Sequence, residues 1–188
     1  MTVKSVLKMA CYFLGLDEIA ETNVLSSSGL SPNSQQNKEI DILLRCLNLV
    51  VQDIATSYIN LLNKKTITFR NNEIPLSEID ENFLEAISVS VNGSKIKFKT
   101  MIGSLYANAE NAEIIYRKYP ENLTIEDNCP CFDNRVALKT LALGTAMEYS
   151  FLNSLSDEAS IFENRYKQDL LIAMRKNSEK KIKERRWL

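Results

Sequence analysis

Six side chains close to the end of the chain carry its most distinctive chemistry: Lys181, Lys183, Arg185, Arg186, Trp187 and Leu188. Arg and Trp are the residue types that most often anchor protein interfaces. Here the single Trp of the protein stands one residue before Leu188, behind two arginines. That pattern suits docking on a partner better than it suits a solvated charged tail. Catalytic chemistry is harder to assemble. The chain has no histidine, the usual general base near neutral pH and the commonest metal ligand, so most triads and metallohydrolase sites are excluded. Asp53 and Glu148 stand in apolar helical stripes, where a carboxylate is more often the partner of a buried Tyr or Arg than a catalyst. No Gly-rich phosphate loop or paired acidic motif accompanies them. Cys129-Pro130-Cys131 has one intervening residue, too few for a Cys-x-x-Cys knuckle, and no second pair completes four ligands. No enzymatic activity, cofactor or metal is expected.

A chain of 188 residues makes one domain, or one domain with an elaboration. The formal charge of −1 hides an asymmetry: from Arg175 onward there are seven basic and two acidic residues, which leaves residues 1–174 at −6. The chain therefore divides into a mildly acidic body, 1–174, and a basic arm, 175–188. Cys11 and Cys46 fall inside apolar helical patterns and no signal-peptide pattern opens the chain, so a reducing cytoplasm during synthesis is the simpler expectation. No apolar run approaches the roughly 18 residues that span a bilayer.

Within the body, residues 3–14 read as a short amphipathic helix with Thr2 as cap and Gly15 as stop. Residues 21–36 are polar and turn-forming, including Ser28 and Gly29, and read as a long mobile or partner-contacting loop. Asn37 then caps a helix of about seven turns ending near Leu62, whose apolar positions follow the helical spacing and which is expected to be the central helix. From about 64 to 120 the period changes to two. A Pro-interrupted segment around residues 74–79 can only be an edge. Asn92-Gly93 is a two-residue hairpin turn that pairs Val91 with Ser94, Val89 with Ile96 and Ile87 with Phe98, leaving Lys95, Lys97 and Lys99 on the opposite face. Residues 101–107 and 112–119 would complete one small antiparallel sheet. A helix capped by Asp133 with Ala137, Leu141, Gly144, Met147, Phe151 and Leu155 on a face, and a second starting at Ser156, follow as a tight antiparallel pair packed on the long helix. The fold class is α+β: mainly a helical bundle, with a small antiparallel β-sheet inserted between the long second helix and the last two helices.

This order resembles the head-to-tail connector, or adaptor, family of tailed bacteriophages, small helical bundles with a β insertion and an extended C-terminal arm. The residues that carry the resemblance are the opening Val3-Lys4-Ser5-Val6-Leu7-Lys8-Met9-Ala10, the helix Leu47-Asn48-Leu49-Val50-Val51-Gln52-Asp53-Ile54-Ala55, the segment Gly144-Thr145-Ala146-Met147-Glu148-Tyr149, and Arg165-Tyr166 with the tail. It spans most of the chain without a single specific motif. The resemblance implies a virion protein made in the host cytoplasm, in a ring of commonly twelve copies beneath the portal. The genome would pass through the lumen without specific binding, and a further tail or ring protein would lie below. It implies that the arm, about 180–188, docks on the portal, with Arg185 and Arg186 pairing with carboxylates and Trp187 and Leu188 filling an apolar pocket. Candidate contacts between neighbouring copies are Ser28 and Gly29 in the loop, and Asn92, Gly93, Lys95 and Lys97 around the hairpin tip. The chief alternative is a nucleic-acid-binding protein whose basic tail contacts phosphates while Trp187 stacks on a base.

Overall fold

The computed structural model describes residues 1–27, 29–130, 132 and 135–175. The fold is mixed α+β with antiparallel pairing throughout its sheets. Helix α1 (Val3–Phe13) is capped by the Thr2 side chain on the Ser5 amide, and Gly15 just beyond it adopts φ +70°, both as its sequence requires. A single turn, α2 (Asp17–Ala20), precedes the loop to α3 (Ser34–Asp53). The cap of α3 is Asn33, not Asn37: the Asn33 side chain accepts from the Gln36 amide at 2.8 Å and the Gln36 side chain accepts from the Asn33 amide at 2.9 Å. The first turn carries no apolar residue, so hydrophobic periodicity does not reveal it. The helix also ends before Leu62. At Ile54–Tyr58 it widens into a π-helical turn, closed by the Ile59 amide on the Ile54 carbonyl.

Strands β1 (Leu62–Thr68), β3 (Phe83–Val91), β4 (Ser94–Ile96) and β7 (Asn111–Lys118) form one sheet in the order β1-β7-β3-β4. A second sheet has the order β2-β6-β5, with β2 (Glu73–Pro75), β5 (Phe98–Met101) and β6 (Ser104–Ala107). The Pro75 strand is an edge, as proline demands, and runs into the single turn α4 (Leu76–Ile79). Val91 pairs with Ser94 and Val89 with Ile96, across a turn in which Asn92 and Gly93 have φ of +49° and +82°.

Beyond that pair the expected register fails. β3 changes register against β7 between Ala86 and Ser88, which leaves Ile87 exposed, and the chain leaves the first sheet after Ile96. Phe98 instead opposes Ala107 in the second sheet. Residues 101–107 likewise make a hairpin, not one strand, because Gly103 at φ +79° turns the chain. The inner residues of both sheets, with Ile79 and Phe69, share one apolar core that includes Val89, Leu105 and Ile114.

The helices enclose a separate core. Its centre is α5 (Leu138–Leu152), not α3: α5 is buried on nearly every side and packs against α1, α3 and α6 (Ser156–Met174). It begins after Ala137, five residues past Asp133, without a side-chain cap. Phe151, in the last turn of α5, and Leu155, in the link to α6, are expected on its packed face but are exposed. The short link to α6 agrees with the sequence reading, and Ala159, Phe162, Tyr166 and Leu170 form the buried face of α6. The connector 119–137 is held at two points. Asn48 on α3 both donates to and accepts from the Leu123 backbone, and Met1 and Val3 bond to the backbones of Cys129 and Asp127.

Candidate functional site

Lys181, Lys183, Arg185, Arg186, Trp187 and Leu188, together with Ser28, lie outside the described residues. What the fold supplies is the point of departure: α6 ends at Met174, and Arg175 follows on the surface. The other candidates can be located. Asn92 and Gly93 form the exposed tip of the β3–β4 hairpin, Lys95 lies opposite Ser90, and Lys97 is the residue at which the chain crosses between sheets. Lys95, Lys97 and Lys99 are exposed and have no ion-pair partner among the described residues. Lys95 lies on the first sheet, Lys99 on the second and Lys97 between them, exposed cations on a body of net acidic charge.

Gly29 has a local structural reason. A β-carbon there would lie 1.8 Å from the Glu21 carbonyl oxygen, where Thr22 and Leu30 bridge and the Asn23 amide bonds to the Leu30 carbonyl. The loop 21–31 is thus folded back on itself. Thr22 is buried with its hydroxyl on the Ile19 carbonyl, Lys8 pairs with Glu21, and Asn23 reaches Ser31. These bonds, which polar sequence composition does not reveal, hold the loop against α1 and α2.

The carboxylates inside the helical stripes have protein partners. The Tyr166 hydroxyl donates to Asp53 at 3.3 Å, and burial together with Asp53 pushes the phenol far above its ordinary range. Glu148 is half-buried; burial first and the nearby Asp53 charge second raise its carboxyl above the usual value. Burial raises the Cys46 thiol to about 11 and the Cys11 thiol to about 12, so neither is a thiolate at neutral pH. Cys129 is buried and free, and its thiol lies at about 11 for the same reason. Among the described residues no group of three or more Cys, Asp or Glu side chains is arranged to hold a metal ion. No helix among them is long and apolar enough to cross a membrane.

One residue that joins the two units was not singled out by its sequence context. Arg117 on β7 donates to Glu85 at 3.2 Å and to the Thr56 carbonyl in the π-helical turn at 3.1 Å, clasping the sheet unit to the helices. Its signal was weak: an arginine in an alternating strand reads as a solvent-facing charge. The arrangement presents surfaces: an acidic helical body, a tethered β unit with exposed lysines, and a helix whose end leads toward the basic arm. No protein-family model matches the chain, and no curated protein is significantly similar to it.

Proposed function

We propose that this chain is a non-enzymatic structural protein, an adaptor of the head-to-tail connector of a tailed bacteriophage. In this reading the helices form the bundle of such a subunit and the two sheets its β insertion. Copies assemble in a ring, of twelve by family resemblance, beneath the portal. The arm at 180–188 docks on the portal, a further tail or ring protein binds below, and DNA passes without being gripped. The observation that carries the reading is the placement of a β unit with its own core between α3 and the α5–α6 pair, ahead of a basic segment ending in Arg-Arg-Trp-Leu. The physics of the arm is compatible: ordering a short segment costs entropy, Trp187 and Leu188 offset it, and repetition around a ring multiplies weak contacts. A body at −6 also repels phosphates rather than collecting them.

The test is copurification with the portal protein of the same genome. Full-length chain should be retained, and chain lacking residues 185–188 should fold normally yet be lost. Equal retention of both would remove the arm from the docking role. An electrophoretic shift of duplex DNA at physiological salt that disappears on deleting 180–188 would instead favour nucleic-acid binding by the tail.

A further inference from the structure

The C-terminal helical pair leaves an unusual amount of apolar surface uncovered. Seven of the seventeen exposed large apolar side chains among the described residues fall between 151 and 174, among them Leu152, Ile161, Leu171 and Ile172 at 52–64% exposure. Clustered patches of this kind mark interaction surfaces. On α6 the inner face is already accounted for by Ala159, Phe162, Tyr166 and Leu170. The outer face carries Glu158, Ile161, Arg165, Gln168, Ile172 and Arg175, all exposed, at steps of 3, 4, 3, 4 and 3 residues. Those alternating steps are the spacing of a helix–helix seam, in which each side chain enters a hole on a facing helix.

The order of residues in this seam says which helix faces it. Reversed about its midpoint, between Tyr166 and Lys167, the seam maps onto itself: Glu158 meets Arg175, Ile161 meets Ile172, and Arg165 meets Gln168. An antiparallel partner must offer an acid to Arg175, aliphatic side chains to Ile161 and Ile172, and an acceptor to Arg165. A second α6 offers all of these in register. The ends agree as well. The end of α5 and its connection to α6, with exposed Phe151, Leu152 and Leu155, lie just past the acidic end of the seam. In the antiparallel arrangement they are carried to the other copy's basic end, where a cavity of about 800 Å³ is lined by Ala137, Ile172 and Ala173 together with Thr140, Asp169, Arg135 and Arg175. Asp157 and Glu158, in the first turn of α6, approach the same arginines.

We infer that the free chain forms a twofold-symmetric dimer through the outer face of α6, with the α5–α6 connection of each copy seated in the cavity beside Ile172 of the other. A contact of this kind uses the same patch on both copies and closes on itself. It is therefore a state of the chain before assembly, does not rest on the adaptor reading, and must open if copies enter a ring.

Sedimentation of the full chain over a concentration series should give twice the monomer mass, unchanged by deleting 180–188. Ile161→Arg should weaken the dimer about tenfold or more without changing circular dichroism or melting of the monomer, because the residue is exposed. Glu158→Arg and Arg175→Glu should each weaken it, and the double exchange Glu158→Arg with Arg175→Glu should restore it. A mixture of Ile161→Cys and Ile172→Cys chains should cross-link on oxidation more than either alone. A monomer into the high micromolar range, a dimer insensitive to Ile161→Arg, failure of the double exchange to rescue, loss of the dimer with the tail, or strongest cross-linking by Ile161→Cys alone would each overturn the proposal.

Discussion

Gly144 on α5 faces the ring of Tyr166 on α6 so closely that a β-carbon at 144 would lie 2.9 Å from the Tyr166 Cε2 atom and 2.7 Å from Cγ1 of Val50 on α3. Three helices therefore meet at a position where only a hydrogen fits. Val50 is buried and β-branched, hence stiff in a helix, and the Tyr166 ring is pinned by its hydroxyl on Asp53. Gly144→Ala should destabilise the protein by about 1–2 kcal/mol, since the overpacking cost outweighs the roughly 1 kcal/mol gained in helix propensity. Thermal melting should fall by about 2–8 °C, at the 2–4 °C per kcal/mol of a chain this size. A rise in melting temperature would mean that α6 can retreat from α5 without loss.

Tyr116 and Asp80 tie the sheet unit together. The Tyr116 hydroxyl donates to Asp80 at 2.6 Å and accepts from the Asn63 side chain at 3.0 Å. Burial and the Asp80 carboxylate push the phenol up to about 12. Burial acts to raise Asp80, but its bonds from Tyr116 and the Asn82 amide outweigh this and leave it below its ordinary 3.8. A carboxylate depressed in the folded state binds fewer protons than the unfolded chain, so its stabilisation is full above 3.8 and is lost as the pH falls through the folded value. Tyr116→Phe should cost about 1–2 kcal/mol at pH 7 and flatten acid denaturation of the sheet unit. Parallel urea titrations at pH 7 and at pH 3 would detect both effects.

Arg117 should behave as a clasp. Arg117→Met removes the donor from the Thr56 carbonyl and the partner from Glu85, with an expected loss of about 1–3 kcal/mol. Because the helical and sheet cores are separate clusters, the loss should be local. Amide exchange should accelerate across β3 and β7 while α5 stays protected. Uniform acceleration in both units would show that they unfold as one and that Arg117 is not what couples them.

Glu148 should give the opposite pH signature. Its carboxyl is raised by burial and by Asp53, so the folded state holds the proton more tightly than the unfolded chain does. That contribution is full below the ordinary 4.5 and is lost as the pH rises through the folded value. Glu148→Gln should therefore stabilise the protein at pH 7, by less than about 1 kcal/mol because the group is still partly solvated. The gain should vanish near pH 4, which melting curves at the two pH values would show.

Local signals in the sequence were dependable where a single residue type decides a backbone conformation. Thr2, Gly15 and Asn92-Gly93 stand where their chemistry places them, and the start of α6 at Ser156 follows from the acidic pair behind it. Gly103 carried a similar signal for the second hairpin. It was masked by the apolar run on either side, so two strands read as one. The Asn33–Gln36 pair was equally visible as a capping box, but periodicity begins later, at Ile40, and drew the start of α3 with it. What could not be read locally was the division into two cores. That division depends on the register shift near Ile87 and on which strand receives Phe98. The centrality of α5 was half legible: a helix apolar on every side is one that is covered on every side, yet matching a single face hid it. For the site, the hairpin tip and the three lysines lie on the surface, but the lysines do not share the single hairpin face expected of them, because the chain changes sheets at Lys97. The outer stripe of α6 went unseen because its inner stripe already satisfied the pattern.

The π-helical turn at Ile54–Tyr58 has a consequence for how this chain tolerates insertions and deletions. A π turn is an α-helix holding one surplus residue, and each residue of helix advances the chain by about 100° around the axis. The turn therefore absorbs that residue's rotation, and the chain leaves α3 in nearly the phase of an uninterrupted α-helix. Removing one residue between Ile54 and Tyr58 would let the helix close in its ordinary ladder with β1 close to its present phase, whereas a deletion within the regular part of α3 would turn everything downstream by that angle and draw the Thr56 carbonyl away from Arg117. The turn is therefore expected to tolerate a single-residue deletion better than the rest of the helix.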